Sequence, residues 1–147
     1  MTDATVIPLK SWQDPQGDVV LLYAERECSV FFPCWLSSGE PADYIGHLSF
    51  EQASAVRSFE REFLPYRLPV HAHHSYILTI PDSDIVREYA AYRRQHYPQF
   101  PTRPSPTHFV VVGHDIYHEI LATGYTESTI PREEISDERL FKLVGAV

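Results

Sequence analysis

Apolar positions along the chain follow two different rhythms. Between Asp18 and Leu36 they are nearly continuous, as "DVVLLYA" and then "CSVFFPCWL". Two β-rich runs parted by a short polar break predict a β-hairpin. Pro33 cannot donate to a strand ladder, so an edge position or a bulge is expected there. A third short strand is expected at 44–48. A helical rhythm then takes over, with Phe50, Ala53, Val56, Phe59 and Phe63 forming one stripe. Ser49 and Gln52 have capping-box spacing and Pro65 is a stop, which predicts a helix over 49–64.

Residues 70–80 read as a strand. A second helix is expected within 81–97, capped by Asp82 or Ser83, with Ile85, Tyr89, Tyr92 and His96 at spacings of three or four. Four prolines between 98 and 106 require a loop or a polyproline-like segment. "THFVVV" (107–112) predicts a buried strand. Segment 113–127 fits a helix closed by Gly124 or a turn at 113–116 followed by another strand. The hairpin is preferred, because nothing breaks the β-type run beyond Gly124. Ser136 opens a third helix over 137–144, closed by Gly145. This order lacks regular β-α alternation. It predicts an α+β fold: an antiparallel or mixed sheet of about five to six strands, with two to three helices packed on one face. Residues 1–17 are expected to be an irregular lead-in, and 18–147 a single compact domain.

The 147 residues suit one domain, and 44% apolar with 13% aromatic residues excludes disorder for most of the chain. A net charge of −8 argues against a general nucleic-acid binder, because a polyanion is repelled. Cys28 and Cys34 would lie about 20 Å apart on an extended chain, beyond disulfide reach. The first 18 residues show no basic or apolar leader pattern, and no apolar run is long enough to span a bilayer. The expectation is a soluble, cytoplasmic protein with reduced thiols and no membrane partner.

Three clusters could carry chemistry. In "VHAHHSY" (70–76), strand alternation puts His71 and His73 on one face, roughly 7 Å apart, and turns His74 toward the core. Two imidazoles at that separation could bracket a divalent metal such as zinc. His114 and His118, with Asp115 and Glu119, form a second histidine–carboxylate cluster that could add ligands. It lacks the H-E-x-x-H pattern of a metalloprotease, however. The third cluster is a charge asymmetry: residues 85–108 carry four arginines against Glu88, a net of +3, so the remainder carries −11. Tyr89, Tyr92, Arg93, Arg94, Tyr97, Phe100 and Arg103 mix the two residue classes enriched in protein interfaces. No complete catalytic or nucleotide-binding pattern is present. The sequence therefore favours a protein-interaction or self-associating module, without cofactor, that presents these residues to a protein partner or a second copy. The alternative is a small metal-dependent hydrolase or lyase using His71, His73, His114 and His118.

Overall fold

A computed structural model describes residues 3–25, 27–68, 75–101 and 103–144. The expected α+β architecture is not what the chain adopts. It is mostly β, with two five-stranded antiparallel sheets and one α-helix among the described residues. In chain order the strands are β1 (Thr5–Val6), β2 (Trp12–Gln13), β3 (Val20–Ala24), β4 (Glu27–Trp35), β5 (Pro41–Glu51), β6 (Ala55–Glu60) and β7 (Ile77–Thr79). The helix α1 (Asp84–His96) follows, then β8 (Thr107–Val112), β9 (Ile116–Ala122) and β10 (Gly124–Pro131). One sheet has the order β1-β7-β8-β9-β6; the other has β10-β5-β4-β2, with β3 also pairing β4.

The expected helix over 49–64 is the largest correction. Its first three residues end β5, Gln52 turns the chain with a φ of 49°, and β6 follows. The reason is pairing. Tyr44 to Glu51 are matched residue for residue with β10, and Cys28 to Pro33 of β4 lie on the other side. A helix would sacrifice both ladders for local propensity worth a few tenths of a kcal/mol per residue. The third expected helix is corrected too: Glu138–Leu143 is a 3-10 segment whose cap is Asp137, not Ser136. The predicted hairpin at 18–36, the strand 107–112 and the helix within 81–97 do form, and Ser83 is the cap. Register slips between Pro33 and Trp35, as a proline inside a paired strand requires. Segment 113–127 takes the turn-and-strand form, with Gly124 opening β10. The lead-in contributes β1 and β2, one to each sheet.

Both sheets contribute to the central core. Val30, Phe32, Leu48 and Phe50 meet Ile77, Phe109, Val111 and Ile120. A second cluster, Phe31 and Ile45 with Ile135, Leu140 and Leu143, lets the C-terminal 3-10 segment cover the outer face of β4 and β5. A third, Leu78, Val110, Val112 and Tyr117 with Tyr66, covers the outer face of β8 and β9. Strands buried on both faces read as unbroken apolar runs, which explains "SVFF" and "FVVV". β5 passes to β6, and β9 to β10, at the same corner. There Thr123 N–H donates to Glu51 O (2.9 Å) and Ser54 N–H to Leu121 O (2.9 Å), so both ribbons bend together from one sheet into the other.

Both cysteines are free and buried, and burial pushes the Cys28 thiol up to about 11 and the Cys34 thiol up to about 12. No helix among the described residues is long and apolar enough to cross a membrane.

Candidate functional site

Two features stand apart from the core: the surface built by α1 with the proline-rich loop, and a polar network beneath the start of α1. The helix forms because Ser83 caps it, accepting from Val86 N–H (3.3 Å), and because Asp84 and Arg93, Arg94 and His96 match the helix dipole at either end. Yet none of its residues is buried. Helices of this length are marginal in water unless an apolar face is covered. Tyr92, Tyr97 and Phe100 are each more than two-fifths exposed. Their rings form a chain, Tyr92 to Tyr97 at 6.4 Å and Tyr97 to Phe100 at 5.9 Å, with His96 4.2 Å from Tyr92. A groove of about 300 Å³ runs between α1 and the loop, lined by Tyr89, Arg93, Arg94, Tyr97, Phe100 and Arg103. A second gap of about 410 Å³ separates Tyr89 and Arg103 from the β5–β6 corner at Gln52–Ser54. Six of the seven predicted interaction residues thus share one groove, and Tyr92 lies beside it.

The second feature centres on Glu119, 3% exposed on the outer face of β9. Arg57, directly opposite on β6, donates from Nε to its Oε2, and the Tyr66 hydroxyl donates to Oε1. His108 of β8, 2% exposed, places Nε2 3.1 Å from the same Oε1. On its other side His108 Nδ1 lies 2.8 Å from Ser83 Oγ. Burial acts to raise the Glu119 pKa, but the bonds from His108, Arg57 and Tyr66 and the Arg57 charge outweigh it and hold the carboxyl at about 2. In a neutral His108 ring, a charged Glu119 accepts from Nε2–H and leaves Nδ1 to accept from Ser83. Burial and the Glu119 bond and charge push the Tyr66 phenol up, so it stays a donor.

Of the four predicted metal ligands, only His114 and His118 fall among the described residues. His118 is buried, with Nδ1 2.6 Å from Ser58 Oγ, and burial lowers its pKa. His114 lies half-exposed in the turn, paired with Asp115 at 3.0 Å. His71, His73 and the expected core residue His74 lie outside the described residues. Among the described residues, no group of three or more His, Cys, Asp or Glu side chains is placed to hold a metal ion.

Of the Glu119 network, only Glu119 and the Ser83 cap are legible in the sequence. A carboxylate set in "HEILA" is a signal, since a charge within an apolar strand needs buried partners. His108, Arg57 and Tyr66 carry no such mark; sheet register and the covering segment bring them in. No protein-family model, curated protein or solved structure matches this chain.

Proposed function

We propose that the protein is an interaction module whose α1 and proline-rich loop bind an acidic segment of a partner protein. The observation that carries this reading is a capped 13-residue helix, nowhere more than half-buried, that carries the exposed Tyr92 and is followed by the exposed Tyr97 and Phe100. Such a surface is stabilised when a partner covers it. Aromatic and arginine side chains supply the anchors, and a loop stiffened by prolines costs little entropy to order.

Charge selects the occupant. Residues 85–108 carry +3. A symmetric pairing of two copies through α1 would set these charges against each other. Docking α1 onto the acidic remainder of a second copy is a head-to-tail contact, which propagates rather than closes. A distinct acidic partner avoids both problems.

The test is fluorescence anisotropy with a labelled peptide rich in Glu and Leu, at low and high salt, with light scattering in parallel. Saturable binding is expected, weakened by salt and by the double change Arg93→Glu, Arg94→Glu. A dimer abolished by the same double change would replace the acidic partner with a second copy. A monomer indifferent to the peptide would overturn the proposal.

A further inference from the structure

Ser83, His108 and Glu119 form a continuous line. Ser83 Oγ is 2.8 Å from His108 Nδ1, and His108 Nε2 is 3.1 Å from Glu119 Oε1. Both distances lie within ordinary hydrogen-bond range. The order is that of a nucleophile, a general base and a carboxylate that orients the base, with the two ring nitrogens exchanged relative to the commonest arrangement. The roles are recognised by geometry rather than by sequence position.

Three further observations fit. Ser83 and His108 both line a pocket of about 490 Å³, with Ile80, Val86, Arg87 and Pro106 around them. The outer end of the line, with Ser83 7% exposed, borders this pocket, and Glu119 does not line it. Asp82, immediately before Ser83, has a φ of 53°, a left-handed conformation that costs a non-glycine residue energy and recurs at functional turns. Ser83 also stands at the amino end of α1, where the amides of Asp84 and Ile85 have no acceptor within the helix. Negative charge developing beside Ser83 would be stabilised there. The carboxylates of Asp82 and Asp84 are paired with Arg87, which limits their opposing effect.

We infer that Ser83, His108 and Glu119 constitute an acyl-transfer site for small carboxylic esters, with Ser83 as nucleophile, His108 as general base and Glu119 as positioning residue. Ser83 Oγ bonds to the acyl carbon as its proton passes to His108 Nδ1. The ester C–O bond breaks, and the alcohol leaves with that proton. Water then adds to the acyl carbon, giving a proton to His108. The bond to Ser83 Oγ breaks and Ser83 recovers the proton, releasing the carboxylic acid. Oxidation states do not change. The apolar Ile80, Val86 and Pro106 would hold a short acyl chain. Glu119 never touches the ester: it holds the tautomer that leaves Nδ1 free to accept.

The full-length chain is treated with a fluorophosphonate probe and the modified peptide is identified by mass spectrometry. A single adduct on Ser83 is expected in the wild-type protein. Ser83→Asn keeps a capping side chain but no hydroxyl, and should take up no probe. His108→Gln should slow labelling by at least about 100-fold, the usual contribution of a general base. For Glu119, 15N chemical shifts of His108 should report the Nε2–H tautomer in the wild type and lose it in Glu119→Gln, a change that a purely structural role does not demand. No adduct on Ser83 in a folded wild-type sample, or labelling unaffected by His108→Gln, would overturn the assignment.

Discussion

Glu119 is a buried charge whose cost of desolvation is met by three donors. Its pKa is depressed from 4.5 to about 2, so the stability that it contributes is fully present above about pH 4.5 and is lost as pH falls toward 2. A shift of that size corresponds to ~3 kcal/mol. Glu119→Gln should therefore lower unfolding stability by about 3 kcal/mol at pH 7, a difference that shrinks toward zero near pH 2. Urea denaturation at the two pH values checks it; a pH-independent difference would contradict it. Gly46 makes a second residue-scale case. It faces Phe32 across the β4–β5 ladder, and a Cβ there would sit 2.2 Å from the Phe32 ring, which is fully buried. Gly46→Ala should cost about 1–3 kcal/mol through overpacking. Phe32→Leu in the same chain should recover part of that loss, a coupling visible in a double-mutant cycle of thermal melts.

At the scale of elements, α1 and β8 are opposites although both were expected from the sequence. β8 is buried on both faces and paired on both edges, by β7 and β9. α1 has a cap and favourable terminal charges, but no buried residue. Local opening should therefore be far easier in α1. Hydrogen exchange of the free protein should show α1 amides exchanging well before those of β8 and β9, and adding the acidic peptide should protect α1 selectively. Equal protection in the free protein would mean that α1 needs no partner. The 49–64 segment shows the converse: a good amphipathic stripe and a capping box yield to two strand ladders. Phe59 and Phe63, assigned by that stripe to the core, end up 40% and 63% exposed.

For the whole molecule, the two sheets are joined by more than apolar packing. Gln13, 1% exposed, donates from Nε2 to Val112 O (3.1 Å) and accepts from Tyr76 N–H (2.7 Å), so β2 in one sheet holds the end of β8 and the start of β7 in the other. Ser75 Oγ–H donates to Ile7 O (2.7 Å), and Glu127 accepts from Lys10 N–H and Ser11 N–H. Residues 5–17 are thus stitched into both layers. Gln13→Leu leaves a buried carbonyl and amide unsatisfied, and should cost about 1–3 kcal/mol for each. Deleting residues 1–17 should abolish a cooperative thermal transition, measured by circular dichroism; an unchanged melt would show the segment to be dispensable.

Local rules decided what depends on neighbours along the chain: the Ser83 cap, the prolines after Tyr97, the bulge at Pro33, the hairpin at 18–36 and the apolar run of β8. They also placed the arginine and tyrosine residues on one helix and loop, because helical periodicity fixes which side chains share a face. Tertiary structure decided what depends on pairing across distance. Whether 49–64 is helix or strand turned on β10, which pairs its first three residues, and on β9, which pairs Ala55 to Glu60, through hydrogen bonds that no local pattern encodes. Glu119 meets Arg57 by register between β6 and β9, Tyr66 by a covering segment, and Ser83 through His108. Side chains at i and i+2 on a strand announce only a face. Which residues lie opposite them is set by strand order, and strand order is settled by the burial of both sheets together.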